Sequence, residues 1–522
     1  MSATRPATIA SDAPPELVEI ARIPLADEAA TLRLGGDLAL ALTAGDVVAL
    51  IGDLGAGKST LARAAIRTLA DDPELEVPSP TYTLVQPYET IPPAAHLDLY
   101  RLSGDDELDE LGFEEMARDG IVFVEWPQNA PSALAAASVT VTLDNAPGGG
   151  RTAHVSADAE AAPRILRSLA IRSFLAEASC AEQPRRRFSG DASSRRYETV
   201  EQDGRTLVVM DAPRQPDGPP IRDGLPYSRI AHLAEDVAPF VAVANALSAA
   251  GFAAPRIHRA DLDAGLLLIE HLGSQTLLDA DGRPAPERYE AAAEALAALH
   301  GTRWDPVMPV ADGISHTVPS YDRRAMRMEV DLLPDWYLPH ARHRSASPDE
   351  TARFAQIWNG LFDALDSAES SLVLRDFHSP NIIWRPAEEG LARIGLIDFQ
   401  DALIGPAAYD LASLAQDARV DVPAELEARL TAHYVSLRAR DAGFDAAGFE
   451  RAYAIMAAQR GSKILGIFVR LLERDGKPQY LRHIPRIKAY LARTLDHPSL
   501  TALRDLYQDW GVLDEAPTQR PL

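Results

Sequence analysis

The sequence predicts two regions of different fold class, an α/β domain followed by a larger α+β domain with two lobes. At roughly 150 residues per domain, the 522 residues suggest several globular units rather than one. From about residue 18 to residue 157, apolar strand-like stretches alternate with helical patterns, which is typical of α/β folds. From about residue 165 onward, strand-rich segments come first and long helical patterns follow, which is typical of an α+β arrangement.

The composition excludes several classes of protein. Hydrophobic residues make up 46% and charged residues 24% of the chain, so it can build buried cores and is not disordered as a whole. A formal net charge of −25 disfavours tight, direct binding of nucleic acids. The single Cys180 can form neither an internal disulfide nor a cysteine-based metal site. The first twenty residues contain no apolar stretch of signal-peptide length, and no run of about eighteen apolar residues occurs in the sequence, so we expect a cytoplasmic protein without a membrane partner.

Apolar runs and glycine-rich turns define the elements of the α/β region. A buried strand and a helix flank a glycine-rich loop, two further strands each end beside a carboxylate, and the last two form a hairpin. These elements are predicted over residues 46–51, 61–69, 94–99, 121–124, 138–143 and 152–155.

A short stretch of small and polar residues predicts the boundary between the two regions. In the second region, a strand ends the small lobe and two helices belong to the large lobe; they are predicted over 266–270, 287–300 and 353–365. The predicted boundaries are 18–157 for the first domain, 158–164 for the linker and 165–520 for the second domain, with its small lobe at about 165–272 and its large lobe at about 273–520.

The glycine-rich loop reads Gly-Asp-Leu-Gly-Ala-Gly-Lys-Ser and matches the pattern G-x-x-x-x-G-K-[ST] of P-loop NTPases between a strand and a helix. In such a loop, backbone N–H groups surround the phosphates of ATP, the lysine reaches the β- and γ-oxygens, and the hydroxyl ligates Mg²⁺. Lysine occurs at only four positions of the chain, so a lysine at position 58 in this loop is stronger evidence for phosphate binding than it would be in a lysine-rich protein. The predicted nucleotide-binding residues are Gly52, Asp53, Leu54, Gly55, Ala56, Gly57, Lys58, Ser59 and Thr60, with Ser59 also a metal ligand.

Three further segments, at 79–83, 96–102 and 124–127, read Ser-Pro-Thr-Tyr-Thr, His-Leu-Asp-Leu-Tyr-Arg-Leu and Val-Glu-Trp-Pro. Together with the phosphate loop they closely resemble the successive motifs of the TsaE family, the ATPase subunit of the bacterial machinery that makes threonylcarbamoyladenosine in tRNA. The resemblance covers nearly all of residues 18–157.

The TsaE resemblance implies roles for four residues and a set of partners. Asp98 and Glu125 would lie near the γ-phosphate, where one supports Mg²⁺ and the other orients the attacking water, in an order that the motifs leave open. Thr81 would lie on a switch-like loop and Trp126 would pack beside the nucleotide. The other subunits of the tRNA threonylcarbamoyl-transfer complex would be partners and would hold the tRNA.

A second phosphate-transfer pattern occupies residues 372–401. Asp376 and Asn381 stand five residues apart between apolar strands, and Asp398 follows the next strand. In kinases, the first Asp of such a pattern accepts the proton of the substrate hydroxyl, and the Asn and the later Asp hold Mg²⁺. The spacing therefore predicts Asp376 as the catalytic base and Asn381 and Asp398 as metal ligands.

This half of the chain resembles the aminoglycoside-phosphotransferase superfamily, which has the protein-kinase-like fold. Within it, the segments 189–197, 208–213 and 459–468 are similar to the AmgK group, the anomeric kinases of N-acetylmuramate and N-acetylglucosamine in cell-wall recycling. The resemblance covers about residues 165–520 and implies ATP, Mg²⁺ and an amino-sugar substrate.

The small lobe departs from the general kinase pattern. No lysine occurs between Lys58 and Lys463, so the usual Lys–Glu pair of that lobe cannot form. Arg195 and Arg196 are the candidates to neutralise the nucleotide phosphates, although they could equally be a solvated strand end. Glu270, at the end of the last small-lobe strand, is also predicted to bind the nucleotide.

The sequence thus predicts a bifunctional protein, an ATPase subunit for N6-threonylcarbamoyladenosine (A37) formation in tRNA fused to an ATP-dependent amino-sugar 1-kinase. Two alternatives stay open at this point. One is a first half that acts as a nucleotide switch and regulates the kinase. The other is a second half that phosphorylates an aminoglycoside or a choline-type alcohol.

Overall fold

The computed structural model describes residues 16–188 and 195–515. Contacts divide the chain into two compact units: the first runs to Asp211 and adds Leu266–Leu268, and the second comprises the remaining described residues. The predicted α/β region and the predicted α+β region are both confirmed. Within the described ranges, no helix has both the length and the apolar character that a membrane span requires.

The first unit is built around a seven-stranded mixed sheet. Its strands are β1 (Val18–Leu25), β2 (Val47–Gly52), β3 (Val85–Tyr88), β4 (Ala94–Asp98), β5 (Ile121–Glu125), β6 (Val139–Asn145) and β7 (Arg151–Ala157), followed outside this sheet by β8 (Arg186–Phe188), β9 (Arg196–Gln202) and β10 (Arg205–Asp211). Its helices are α1 (Glu28–Ala41), α2 (Lys58–Ala70), α3 (Asp105–Glu110), α4 (Phe113–Asp119), α5 (Pro131–Ala135) and α6 (Ala161–Glu177).

The strand order β1-β7-β6-β2-β5-β4-β3 places the glycine-rich loop beside the two predicted acids. Strands β2, β4 and β5 are buried and parallel, so their carboxyl ends meet at one edge of the sheet. Asp98 lies directly opposite Glu125 in the register. The predicted hairpin is also confirmed, because β6 and β7 pair antiparallel.

Helix α1 packs closely against the helix that follows the glycine-rich loop. A Cβ atom on Gly35 would lie 2.5 Å from the carbonyl oxygen of Leu61 and 2.9 Å from Cβ of Ala64, so only glycine permits this approach. The α1 and α2 backbones are therefore held together by shape as well as by apolar burial.

A buried carboxylate on α1 fastens α6 to the first unit. Asp37 is 3% exposed and accepts hydrogen bonds from Arg172 Nε and Nη2, both at 2.8 Å, and from Arg185 Nη1 at 2.9 Å. Arg185 is itself buried and donates to both carboxylate oxygens of Glu198 on β9, at 2.7 and 2.9 Å. Charged groups that leave water are tolerated when they are paired and hydrogen-bonded in this way.

The stretch 158–164, predicted as a linker, contains the first turn of α6. Arg164 on that turn donates to both carboxylate oxygens of Asp46, at 2.8 and 2.9 Å. Helix α6 and strands β8–β10 accordingly belong to the first unit, and the chain enters the second unit after Asp211. The placement of a boundary between independently folding domains at 158–164 stays a prediction.

The second unit combines short strands with long helices. Its strands are β11 (Pro220–Arg222), β12 (Leu225–Pro226), β13 (Ile257–Asp261), the end of β14 (Leu266–Glu270), β15 (Val307–Ala311), β16 (Ile314–Thr317), β17 (Ser370–Val373), β18 (Ile382–Trp384), β19 (Ile394–Leu396) and β20 (Leu403–Pro406). Its helices are α7 (Tyr227–Ile230), α8 (Ala238–Ala249), α9 (Pro286–Gly301), α10 (Arg323–Leu332), α11 (Leu338–Arg342), α12 (Pro348–Leu365), α13 (Ala408–Ala415), α14 (Ala424–Arg438), α15 (Ala446–Glu473), α16 (Ile484–Thr494) and α17 (Thr501–Asp509).

Two antiparallel pairs, β17 with β20 and β18 with β19, carry the second phosphate-transfer pattern between them. The predicted helix over 287–300 matches α9, whereas the helix predicted over 353–365 begins earlier, at Pro348. Its start is fixed by a capping box: Ser347 Oγ accepts from the backbone N–H of Glu350, and the Glu350 carboxylate accepts from the backbone N–H of Ser347.

Substitution of Asp37 tests whether α6 and β9 depend on α1. Asp37→Asn removes the charge that compensates Arg172 and Arg185, so we expect the free energy of unfolding to fall by about 3–5 kcal/mol. The measurement is urea-induced unfolding of the full chain followed by far-UV circular dichroism. Glu182→Gln is the matched control, because this carboxylate pairs with Arg33 but is 71% exposed and should change stability by less than about 1 kcal/mol. Equal stability of the two variants would contradict a structural role for the Asp37 cluster.

Candidate functional site

The glycine-rich loop has the backbone conformation that phosphate binding requires. Gly52 and Gly57 have φ angles of 149° and 103°, and a Cβ on Gly52 would lie 2.8 Å from the carbonyl oxygen of Leu143. The ammonium of Lys58 donates to the carbonyl oxygens of Gly52 and Asp53 at 2.8 and 2.9 Å. The lysine is thus held inside the loop, at the N-terminus of α2.

Trp126 covers this lysine. The Lys58 ammonium lies 3.8 Å from the centroid of the Trp126 ring, within range of a cation–π interaction. Burial lowers the pKa of Lys58, and the nearby Glu125 and Asp98 oppose that shift. The sequence prediction that Trp126 packs beside a nucleotide stays a prediction, but its contact with the phosphate-loop lysine places it at that loop.

Asp98 is joined to the predicted switch-like loop. Its Oδ2 accepts hydrogen bonds from Thr81 Oγ1 at 2.8 Å and from Ser79 Oγ at 3.2 Å, and its Oδ1 accepts from the backbone N–H of Tyr100 at 3.1 Å. The structure therefore brings Thr81 and Asp98 into direct contact, next to the strand that carries Glu125.

Glu125 has a partner that sequence reasoning missed. Its Oε1 lies 2.9 Å from Nε2 of His96, and both side chains are buried, at 3% and 0% exposure. His96 precedes Asp98 by two residues on β4, so the period of a strand puts both on one face of the sheet. That spacing was a readable signal for a histidine beside the two acids.

Arg151 on β7 is a second residue that sequence reasoning missed. Its Nη2 donates to the carbonyl oxygen of Gly55 at 2.9 Å, so an arginine 96 positions away in sequence supports the phosphate loop. Pairing of β7 with β6, which neighbours β2, brings it there, and no motif marks it.

The donor set at this edge suits Mg²⁺. Ser59 offers a hydroxyl oxygen, and Asp98 and Glu125 offer carboxylate oxygens, which are the ligand types that this hard cation takes. The positive φ angles of the loop glycines and the lysine at its mouth suit the phosphates of a nucleotide.

In the second unit, two buried acids fix the loop that contains Asp376. The backbone N–H groups of Leu374 and Arg375 donate to the Asp410 carboxylate at 2.6 and 2.9 Å. The N–H of Ser379 donates to Asp417 at 2.8 Å. Asp410 and Asp417 are both fully buried, so the loop is anchored on either side of Asp376.

The structure brings the three predicted residues of this site together. Asn381 Nδ2 donates to the carbonyl oxygen of Asp376 at 3.0 Å and to Oδ2 of Asp398 at 3.2 Å. Gln400 Nε2 holds the other carboxylate oxygen of Asp398 at 2.9 Å. The amide and carboxylate oxygens of Asn381 and Asp398 are ligands that Mg²⁺ accepts, so the pair fits a metal site beside Asp376.

The electrostatics leave Asp376 ionised. Burial alone would raise the pKa of Asp376, but His378, followed by Lys463, Arg375 and Arg460, outweighs it and holds that pKa below its usual value. Burial lowers the pKa of His378, which favours the neutral imidazole at neutral pH. A carboxylate that is ionised at neutral pH can accept a proton from a hydroxyl.

A buried network behind Asp376 was not predicted. Glu329 on α10 is fully buried and accepts hydrogen bonds from Arg375, from Tyr321, from Gln459 at 2.8 Å and from Lys463 at 2.7 Å. Gln459 and Lys463 lie in the segment 459–468 that carried the family resemblance, but their partner lies 130 residues or more away in sequence. The network connects α10 and α15 to the residue that precedes Asp376.

The other predicted nucleotide-binding residues lie at strand ends. Arg196 is exposed on β9 opposite Asp211, and Arg195, just before it, is half-buried. Glu270 ends β14, and its carboxylate accepts from the backbone N–H of Arg256 at 3.3 Å. Of the motif at 189–197, residues 189–194 lie outside the described residues. Nucleotide binding by Arg195, Arg196 and Glu270 stays a prediction.

The folds and the two sites define a P-loop nucleotide-binding region followed by a kinase-like phosphotransferase. Residues 25–153 match the family model "Threonylcarbamoyl adenosine biosynthesis protein TsaE", and residues 185–444 match the model "Phosphotransferase enzyme family".

Relatives of known name match each region. A TsaE protein of Rickettsia felis is 36% identical over 23% of this chain and 70% of its own length. An N-acetylmuramate/N-acetylglucosamine kinase of Caulobacter vibrioides is 35% identical over 65% of this chain and 95% of its own length. The chain therefore belongs to both families: it is a fusion of a TsaE region with a phosphotransferase region of the N-acetylmuramate/N-acetylglucosamine kinase group, as the sequence motifs predicted.

A solved structure also matches the second region. The GDP complex of aminoglycoside 2'-phosphotransferase-IIIa covers 62% of this chain and 98% of its own, at 14% identity and a TM-score of 0.42.

Proposed function

We propose that this protein is a bifunctional cytoplasmic enzyme. Its P-loop region hydrolyses ATP in support of N6-threonylcarbamoyladenosine formation at A37 of tRNA, and its second region transfers the γ-phosphoryl group of ATP to the anomeric hydroxyl of N-acetylmuramate or N-acetylglucosamine. The observation that supports the proposal most is that the predicted residues form two separate clusters, one around Lys58 in the first unit and one of Asp376, Asn381 and Asp398 in the second.

In the first region, the chemistry is assigned to residues that the sheet edge brings together. Lys58 binds the β- and γ-phosphates once it exchanges its loop carbonyls for phosphate oxygens. Ser59 and one of the two acids, Asp98 or Glu125, would hold Mg²⁺, and the other acid would orient the attacking water. Mg²⁺, when bound, neutralises charge on the phosphates. The hydrogen bond from Thr81 to Asp98 would let the switch-like loop respond to the occupant of the site.

In the second region, Asp376 is the catalytic base. It takes the proton of the sugar hydroxyl as the oxygen attacks the γ-phosphorus, and the bond from that phosphorus to the bridging oxygen of ADP breaks. Asn381 and Asp398 would hold Mg²⁺, which supplies charge neutralisation on the transferred group. The low pKa of Asp376 supports the role, because the base is already ionised when the sugar arrives.

The partners follow from charge and from the family. A net charge of −25 supports a protein that leaves tRNA binding to the other subunits of the threonylcarbamoyl-transfer complex. The second region needs only the amino sugar and ATP.

Substitution of Lys58 separates the two activities. Lys58→Ala removes the ammonium from the phosphate loop, so we expect ATP hydrolysis by the first region to fall by about a hundredfold or more. Sugar phosphorylation by the same full-length variant should stay within about twofold of the wild type, because Asp376, Asn381 and Asp398 lie in the other unit. Both rates are measured on one preparation, with Lys477→Ala as the matched control. Comparable loss of both activities in a folded Lys58→Ala variant would contradict two separate sites.

Substitutions of Asp376 and Asp398 separate base from metal ligand. Asp376→Asn keeps size and polarity but cannot accept the proton, so kcat for sugar phosphorylation should fall by about a hundred- to ten-thousandfold with little change in the KM for ATP. Asp398→Asn should raise the KM for Mg²⁺·ATP as well as lower kcat. Glu389→Gln, on an exposed loop between β18 and β19, is the control. If Asp376→Asn acted mainly on nucleotide affinity, the assignment of base and ligand would be wrong.

A further inference from the structure

Arg460 lies in the middle of α15 and is 6% exposed. Five lysine or arginine residues of the described chain are buried to this degree, and four of them donate hydrogen bonds to oxygen atoms: Lys58, Arg185, Arg375 and Arg438. Arg460 differs from them, because within residues 16–188 and 195–515 no carboxylate, carbonyl or hydroxyl accepts a hydrogen bond from its guanidinium.

An unpaired guanidinium in this position is expensive. Arginine does not lose its proton in proteins, so burial cannot be relieved by a change of charge. The effective cost of taking such an ion out of water is several kcal/mol unless a counter-charge meets it. The chain has 76 acidic residues, and its other buried arginines, Arg185, Arg375 and Arg438, are each paired with a carboxylate. A buried arginine without a hydrogen-bonded carboxylate is the expected feature of a site that receives an anion.

The position of Arg460 shows which site that is. Its neighbours on α15, Gln459 and Lys463, both donate to Glu329, and Glu329 accepts from the residue that precedes Asp376. Lys463 is therefore committed to Glu329, whereas Arg460 is not. The charge of Arg460 also acts on Asp376 and His378, whose pKa values it helps to lower. This part of α15 thus borders the base.

The acceptor sugar is the ligand that must meet the base. Asn381 and Asp398, the proposed metal ligands, are hydrogen-bonded to each other, and Asn381 also donates to the backbone of Asp376 while Gln400 donates to Asp398. An anion beside Arg460 is therefore assigned to the acceptor rather than to the metal-bound nucleotide. The planar guanidinium matches a carboxylate through two parallel hydrogen bonds.

We propose that Arg460 binds a carboxylate group on the acceptor sugar and is the residue that makes this kinase prefer a carboxylated amino sugar. The inference rests on the proposed sugar-kinase function and deepens it. N-acetylmuramate and N-acetylglucosamine differ by a carboxylate-bearing ether substituent, so the two sugars form a matched pair for the test.

The test is steady-state kinetics of the full-length wild type and of Arg460→Gln with each sugar at saturating ATP. The wild type should favour N-acetylmuramate. In Arg460→Gln, the KM for N-acetylmuramate should rise by about ten- to a hundredfold, the loss expected for a charge-assisted hydrogen-bond pair. The kcat/KM for N-acetylglucosamine should change by less than about threefold, and KM for ATP should not change.

Two further variants keep the result interpretable. Arg460→Lys keeps the charge but loses the two parallel N–H donors of the guanidinium. Its KM for N-acetylmuramate should therefore fall between those of the wild type and Arg460→Gln. Arg451→Gln, at an exposed position on the same helix, should leave the KM and kcat for both sugars unchanged. Because Gln removes a buried charge that has no hydrogen-bonded counter-charge among the described residues, the melting temperature of Arg460→Gln should not decrease.

The outcomes are distinct. Equal loss with both sugars, in Gln and Lys variants alike, would overturn the inference and assign Arg460 to the phosphoryl group or to the fold. No change with either sugar would overturn it as well. If the wild type phosphorylated neither sugar while Asp376→Asn abolished transfer to another alcohol, the proposed sugar-kinase function itself would fail, and this inference with it.

Discussion

The second site depends on one buried carboxylate, Glu329. It is fully buried, and although burial would raise the pKa of Glu329, Lys463 and Arg375 hold that pKa at about 2. An ionised carboxylate in the interior must be met by donors, so it holds α10, α15 and the start of the loop of Asp376 in one arrangement. Lys463, the first lysine after Lys58 in the sequence, is the donor in one of these bonds. Lys463 is therefore paired with Glu329, whereas Arg460 on the same helix donates no hydrogen bond to a carboxylate, carbonyl or hydroxyl of the described residues.

The first unit is organised in a similar way around Asp37. This carboxylate on α1 receives Arg172 and Arg185, and α1 is pressed against the phosphate-loop helix at Gly35. Arg185 also donates to Glu198 on strand β9, a strand that the sequence assigns to the second region. Helix α6 and strand β9 thus belong to the same compact unit as the sheet. Activity assays of either half should therefore use the full chain.

Local features were predictable and long-range ones were not. The strand, loop and helix around Lys58 follow from a contiguous pattern, and Asp98 was readable as an acid at a strand end. Capping by Ser347 was also legible in sequence, and it explains why α12 begins earlier than its apolar period suggested. Apart from Tyr321, the side chains that donate to Glu329 lie at least 46 residues away in sequence. The arginines that donate to the Asp37 carboxylate lie at least 135 residues away, so only the fold brings these groups together. Arg151 carries no motif and reaches its loop through sheet order alone.

The central claim is that one chain contains two separate nucleotide sites. It is tested most directly by isothermal titration of the full chain with a non-hydrolysable ATP analogue and Mg²⁺. Two nucleotides should bind per chain, and Lys58→Ala and Asp398→Asn should each leave one, with the remaining site keeping its affinity. A wild-type stoichiometry of one, or the loss of all binding in either single variant while the protein stays folded, would contradict the account.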